Sequence, residues 1–452
     1  MNINTFENIY FVGIGGIGMS AIARYFKSQG KRVAGYDRTA TQLTRALKEE
    51  GICITFEDGE DQIPQEFRSS EKTLVVYTPA IPAEHQQLSF FQQGGFPLFK
   101  RSQVLGLISD NLKGIGIAGT HGKTTVSTMT AHILKQSHLD CNAFLGGISR
   151  NYESNLLLSA DSPWVVLEAD EFDRSFLQLH PHVAVVTSMD ADHLDIYGDK
   201  GELEKTFFQY IDQIRPEGKL VYKKGLPIQV ENRETYTYAL EDDADFSAMN
   251  LRLEEGFYLF DLHSPMGVLA DLKLSYPGKI NVENAVAASA VALLCGVEES
   301  ELRNALSGFK GVWRRFDYQV RSENLVYIDD YAHHPSELAA TISSVRELYP
   351  NRKITGIFQP HLYTRTRDFV DGFAESLDLL DEVILLDIYP ARELPIEGVS
   401  SNIIKNRLTK PSQLCSKEEL LEILREKDLE VLLTLGAGDI DKLVPPIKKL
   451  LA

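Results

Sequence analysis

Three α/β domains with mostly parallel sheets are what this sequence predicts, and three observations lead there. The chain has 452 residues, about three domains by ordinary domain size. Short apolar runs alternate with amphipathic stretches along its length, the pattern of repeated strand–helix units. Those apolar runs end in turns rich in Gly, Asp and His, which places polar chemistry at the carboxyl edges of strands, where α/β sheets bind ligands.

Composition narrows the class. With 43% hydrophobic and 24% charged residues the chain reads as an ordinary soluble globular protein. A net charge of −18 argues against a nucleic-acid or anionic-membrane binder, which would need a basic face. Cys53, Cys141, Cys295 and Cys415 lie far apart without CxxC spacing, so no zinc cluster or disulfide framework is indicated. The longest apolar run, Ala285 to Cys295, is too short to span a bilayer and reads as a core helix. Glu7 and an early Gly-rich turn do not suit a secretory signal, so the cytoplasm is the expected compartment.

The first domain is read over residues 1–106. Asn8 to Val12 forms a strand, Gly13-Ile14-Gly15-Gly16-Ile17-Gly18 a turn, and Met19 to Gln29 a helix that Gly30 stops. A second strand, Arg32 to Tyr36, ends at Asp37, and a third, Thr73 to Tyr77, ends in Thr78-Pro79-Ala80. This is a Rossmann-like unit with a G-x-G-x-x-G turn at a helix N-terminus, suited to a pyrophosphate. Gly13, Gly15, Gly16, Gly18, Asp37 and Thr78 are its candidate ligand contacts. The glycines leave the nucleotide open: an NAD site, with Asp37 on a ribose hydroxyl, satisfies the same fingerprint.

The second domain, 107–312, carries the most specific signal in the chain. The apolar run Ile115 to Ala118 ends in Gly119-Thr120-His121-Gly122-Lys123-Thr124-Thr125, and Thr124 to Lys135 reads as a helix. Glycines let the backbone wrap phosphate, Lys123 supplies a point charge, and Thr124 a hydroxyl for Mg²⁺. The position five before Gly122 is Ile117 rather than glycine, a departure from the strict Walker A pattern. We read an ATP site in a P-loop ATPase-like, mostly parallel sheet. Strands Trp164 to Leu167 and Val183 to Thr187 end in Glu168-Ala169-Asp170-Glu171 and in Asp190-Ala191-Asp192-His193-Leu194-Asp195. Adjacent acids repel one another unless a cation or basic partner is present, so Glu168 and His193 become candidate metal ligands beside Thr124. Imidazole suits Mg²⁺ poorly, which points His193 to a second metal position or a phosphate. Phe246 to Leu262 reads as an appended hairpin about Glu255-Gly256. Asn281-Val282-Glu283-Asn284 is expected to open the helix from Ala285, with one asparagine as its cap.

The third domain, 313–452, is read as Rossmann-like. Strands are expected at Leu325–Ile328, ending in Asp329-Asp330, and at Ile354–Phe358, Val383–Leu386 and Val431–Leu435, the last ending in Gly436-Ala437-Gly438-Asp439. Arg314, Arg315, Arg365 and Arg367 are conspicuous in an acidic chain and could reach phosphates.

Taken together, Gly13–Ser20, Gly119–Thr125, Glu168–Asp173 with Ser175-Phe176-Leu177, Asp192–Asp195, Asn281/Asn284, Arg314–Phe316, Asp330–Pro335 and Gly436–Asp439 resemble the Mur ligases over essentially the whole chain. The resemblance implies that Gly13–Gly18 holds the diphosphate of UDP-N-acetylmuramate instead of NAD, and that the second domain holds ATP. The third would close over both and take the amino acid. It implies catalytic roles for Lys123, His193, Arg315 and Asp330, and an ATP site completed by Asn284, Arg315 and Asp330. Thr124, Glu168 and His193 would hold Mg²⁺, while His333 and Arg367 would serve the substrate end. Relatives that add later residues carry a modified lysine where this chain has Phe207, with Lys205 two residues away. That favours the branch that adds L-alanine; ligation of a whole tripeptide is the nearest rival. More remote are an NAD-dependent oxidoreductase and an ATP-gated module without turnover. A monomer or weak homodimer, without nucleic acid or membrane insertion, completes the expectation.

Overall fold

The computed structural model describes residues 3–78, 81–82, 84–190, 197–231, 233–254, 256–391 and 393–451. Among them the strands form three sheets. The first contains β1 (Asn8–Val12), β2 (Arg32–Tyr36), β3 (Cys53–Thr55), β4 (Thr73–Tyr77) and β5 (Leu98–Lys100), in the order β3-β2-β1-β4-β5 and parallel throughout. β1 is buried at every position, as expected for a central parallel strand. Strand order reverses at β1, which opens a crevice between the ends of β1 and β4, beside Gly13 and Thr78.

The second sheet has ten strands: β6 (Lys113–Ala118), β7 (Asn142–Ser149), β8 (Ser154–Leu157), β9 (Trp164–Glu168), β10 (Val183–Val186), β11 (Lys219–Lys223), β12 (Glu234–Leu240), β13 (Phe246–Glu254), β14 (Phe257–Ser264) and β15 (Gly267–Leu274). β6 lies between β10 and β9, so the turns after these three strands meet at one edge. The expected hairpin is extended by β15, and all three of its strands continue the main sheet through a parallel β12–β13 pairing. Their alternating burial reflects a sheet with one wet face.

The helix expected to begin at Ala285 begins at Lys279 and runs to Cys295. Neither asparagine caps it: Asn281 lies inside the first turn, its Nδ2 donating to Pro277 O at 2.6 Å. From Ala285 to Ala292 the helix is buried on every face, because small Ala and Val side chains let neighbours approach from all sides.

The third sheet contains β16 (Asp317–Arg321), β17 (Val326–Asp330), β18 (Ile354–Phe358), β19 (Glu382–Leu385), β20 (Ser412–Leu414) and β21 (Val431–Leu435), in the order β16-β17-β21-β18-β19-β20. Only β16 is antiparallel, at the edge. β17 extends through Asp329 and Asp330, which the sequence reading placed beyond the strand.

By contact density the chain divides into two units, one of residues 1–252, 259–273 and 283–310, the other of 253–258, 274–282 and 311–452. The first sheet and most of the second thus share a unit, and their cores form one cluster, with Tyr25 packed on Phe144 at 5.6 Å between ring centroids. Asn155 of β8 ties them, donating to Ile17 O at 2.6 Å and accepting from Arg24 at 2.6 Å.

Candidate active site

The turn after β6 has the form a phosphate loop requires. Gly119 (φ 137°) and Gly122 (φ 84°) occupy backbone conformations that L-residues avoid. A Cβ on Gly119 would lie 2.1 Å from Thr187 Oγ1, so this turn also needs glycine to lie against the end of β10. Ser188 Oγ accepts from His121 N at 2.7 Å, and Thr120 Oγ1 accepts from Asp190 N at 3.1 Å. These bonds fix the loop from outside. Its helix, Lys123–Lys135, has Gly122 as N-cap and no capping side chain among the described residues, leaving the first N–H groups for an anion. Thr124 and Thr125 are buried behind it, and Asn284 approaches Gly122, its Oδ1 3.0 Å from where a Cβ would stand.

Lys123 and the acids after β9 form one cluster. Lys123 Nζ donates to Gly119 O at 2.6 Å and pairs with Glu171 at 2.8 Å; the Glu171 side chain is fully buried. Burial opposes the ammonium charge, yet Glu171, Asp170 and Glu168 outweigh it and hold the Lys123 pKa above the ordinary value. Burial also pushes the Glu171 carboxyl upward, against the pull of Lys123. Glu168 pairs in register with Ile117, which places it beside the loop. Its carboxylate lies over Gly146 of β7: a Cβ there would stand 2.1 Å from Oε2. Asp170 accepts from Phe172 N at 3.1 Å and faces Arg101 at 3.4 Å.

Two residues of this cluster escaped the sequence reading. Arg101, whose guanidinium lies 2.9 Å from where a Gly18 Cβ would stand, links the first glycine turn to the acids. Its signal was a cation at the start of a helix, the wrong end for the dipole. Glu171 stands in the sequence as one acid among several, and nothing local marks it as the partner of Lys123. His193 lies outside the described residues. Among the described residues no group of three or more His, Cys, Asp or Glu gathers as a metal site.

At the first glycine turn, Gly13 (φ 92°) and Ile14 donate to Tyr36 O at 2.8 and 2.9 Å. A Cβ on Gly13 would meet Thr78 Cγ2 at 2.7 Å. Asp37 turns back onto this loop and accepts from Gly15 N at 2.7 Å. Gly16 is the N-cap of the helix Ile17–Ser28, and a Cβ there would make only ordinary contacts, the nearest at 3.8 Å.

In the other unit, Arg314 and Arg315 divide their labour. Arg314 (φ 60°) pairs with buried Asp329 at 3.2 Å and donates to Gly436 O at 2.6 Å, a structural tie. Arg315 faces Glu337 at 3.8 Å, and both guanidinium groups lie over the Tyr331 ring. Asp330 accepts from Phe316 N and Ala332 N at 2.7 and 2.8 Å; burial pushes its pKa up to about 6 despite Arg315. His333 pairs with Glu337 at 3.2 Å and lies 6.2 Å, ring to ring, from His361. Arg367 is exposed and pairs with its neighbour Asp368 at 2.7 Å.

Family models cover this architecture from end to end. Residues 8–112 match the Mur ligase family catalytic domain, 117–292 the Mur ligase middle domain, and 314–438 the Mur ligase glutamate ligase domain. The chain belongs to the Mur ligase family. Among the Mur ligases it is 52% identical to the UDP-N-acetylmuramate–L-alanine ligase of Phocaeicola vulgatus over 456 residues, covering 100% of this chain and 99% of that one. The enzyme of the same name from Parabacteroides distasonis is 54% identical, with 100% and 98% covered. The crystal structure of UDP-N-acetylmuramate-alanine ligase from Thermotoga maritima superposes with a TM-score of 0.84 at 27% identity, covering 98% of each chain. A murein peptide ligase from Psychrobacter arcticus reaches 0.69 at 20% identity, 98% of each chain, and shares the fold.

Proposed function

We propose that this Mur ligase joins L-alanine to the lactyl carboxylate of UDP-N-acetylmuramate at the expense of ATP, in peptidoglycan precursor synthesis. The observation that carries the reading is identity of 52% and 54%, end to end, with two enzymes of that name. The loop Gly119–Thr125 gives the reading its ATP site, and the crevice at Gly13, Gly15, Gly16, Gly18 and Thr78 its UDP-sugar site, with Asp37 shaping the glycine turn. We divide the chain at 1–106, 107–312 and 313–452 for UDP-sugar, ATP and amino acid.

A carboxylate does not react with an amine at neutral pH, so it must first be activated. A lactyl carboxylate oxygen attacks the γ-phosphorus of ATP, forming an acyl phosphate as the bond to ADP breaks. The alanine amine then adds to the acyl carbon, loses a proton, and the tetrahedral adduct expels phosphate to leave the amide. Such transfer requires positioning and charge neutralisation more than covalent help. Lys123 supplies a cation fixed by Glu171 and Gly119 O. Arg315, Asp330 and Asn284 are read as completing the ATP site, and His333 and Arg367 as serving the amino-acid end. Mg²⁺ fits the residues present: Thr124 offers a hydroxyl, and the absent side chain of Gly146 cradles the Glu168 carboxylate; His193 would be a further ligand. When bound, the metal would neutralise phosphate charge. The proposal also includes the cytoplasm, where ATP is available, and a monomer or weak homodimer; no described helix is long and apolar enough to cross a membrane.

The test is phosphate release with ATP, Mg²⁺ and UDP-N-acetylmuramate, supplying L-alanine, glycine, L-serine or the tripeptide in turn. The proposal expects L-alanine to give the highest kcat/KM. Preference for the tripeptide would overturn it, as would release independent of the UDP-sugar.

A further inference from the structure

Lys123 is not waiting in an open loop. Its ammonium has three N–H donors; one is donated to Gly119 O at 2.6 Å and one to Glu171 Oε1 at 2.9 Å, with the other oxygen of that carboxylate 2.8 Å away. Among the described residues that leaves one direction for a phosphate oxygen. Glu171 is itself fixed by its backbone: its carbonyl accepts from Tyr197 Oη at 2.6 Å and from Arg174 N at 2.8 Å.

A fully buried carboxylate is a poor device for stability, since apolar packing does as well without the desolvation penalty. Here it is also a poor device for affinity, because it adds negative charge where a polyanion must bind. Its position therefore calls for another explanation. We propose that Glu171 is a positioning residue that aims Lys123 at the transferring phosphoryl group, gaining rate while weakening the hold on ATP. It occupies two N–H directions jointly with Gly119 O, so the third is set before the nucleotide arrives and needs no reorganisation during transfer. The same carboxylate repels the phosphates of bound ATP, so ground-state binding is weaker than the loop alone would give. This inference rests on the reading of Gly119–Thr125 as the ATP site.

The experiment compares wild type, Glu171→Gln, Glu171→Asp and Lys123→Ala. Affinity for a non-hydrolysable ATP analogue with Mg²⁺ is measured by calorimetry, and the phosphoryl-transfer rate by single turnover. A misplaced catalytic group typically costs on the order of 10²-fold, so Glu171→Gln should slow transfer by about 10- to 100-fold. Analogue affinity should rise, unchanged affinity overturning the claim that Glu171 weakens the hold on ATP, and UDP-N-acetylmuramate affinity should not change. Glu171→Asp keeps the charge one methylene short; it should be slowed less and bind the analogue no more tightly than wild type. If Glu171→Gln fails to fold, judged by UDP-sugar binding, the Asp variant alone must still lose rate without losing analogue affinity. Wild-type rate in Glu171→Gln would overturn the inference, and so would a parallel loss of analogue affinity and rate, the mark of a purely structural role. Lys123→Ala separates the two readings: unchanged turnover there would remove the ATP assignment, whereas lost turnover there with full activity in Glu171→Gln would remove only the role of Glu171.

Discussion

Gly146→Ala is the smallest change that should disable the proposed metal site without touching a proposed ligand. A methyl group at this point of β7 would lie 2.1 Å from Glu168 Oε2 and 2.3 Å from its Cδ and Oε1. Carbon and oxygen rest at about 3.3 Å or more, so the carboxylate must retreat by about 1 Å. The fold should tolerate this, because the displaced atoms are the end of a flexible side chain. Gly146 also has no positive φ to defend, and the change in stability should stay within about 1 kcal/mol. A displacement of about 1 Å in a catalytic site costs on the order of 10²-fold in rate. The assay is ADP formation titrated with Mg²⁺ at saturating substrates, alongside urea unfolding. The expected result is a kcat lower by about 10²-fold, a higher Mg²⁺ requirement and an unfolding free energy within about 1 kcal/mol of wild type. Glu168→Gln should behave similarly, and the double variant should be little worse than either, since both act on one group. A folded Gly146→Ala enzyme with the wild-type Mg²⁺ titration would refute the placement of Glu168 at the metal.

Two further predictions concern the same unit. Gly16 has extended dihedrals and no neighbour closer than 3.8 Å to a Cβ, so Gly16→Ala should fold normally; calorimetry should show UDP-N-acetylmuramate binding about 10-fold or more weaker, with ATP unchanged. Gly15 is a worse probe, since any side chain there meets Asp37 and Thr44 at 2.7 Å and disrupts the turn itself. Buried His132, bonded to Tyr152 and Ala305, has its pKa lowered by burial to about 4, so it stays neutral in the fold while the unfolded chain gains a proton below pH 6.5. Its contribution is complete above pH 6.5 and is lost as pH falls towards 4, about 3 kcal/mol in all. Urea unfolding of wild type and His132→Gln should show the difference between them shrinking over that window; a constant difference would mean His132 is not held neutral.

The strands were legible because each is a short apolar run closed by turn residues: β1, β2, β4, β18 and β21 fall where the sequence reading put them. Errors arose where polarity misleads. Asp329 and Asp330 looked like the residues after a strand, yet both are buried inside β17, held by Arg314 and Thr434 and by two backbone N–H groups. The asparagines at 281 and 284 looked like a helix start, although Gly278, at φ 97°, marks the turn before it. At the candidate active site, the turn proposed to hold phosphate is plain in the sequence because glycine, lysine and threonine spacing encode it locally. The crowding of acids after β9 calls for a cation or a basic partner, but which groups answer it depends on packing between distant segments. Lys123, 48 positions before Glu171, and Arg101, 69 before Asp170, do so.

Activation of the lactyl carboxylate as an acyl phosphate would leave a trace in the oxygen atoms, and following them tests the proposed reaction most directly. UDP-N-acetylmuramate labelled with ¹⁸O in both carboxylate oxygens would be turned over with ATP and L-alanine, and the products analysed by mass spectrometry. Attack on the γ-phosphorus predicts one labelled oxygen in inorganic phosphate per turnover and one retained in the new amide. Label in AMP would instead mean activation as an acyl adenylate, and unlabelled phosphate would mean that hydrolysis and ligation are separate events; either would contradict the account.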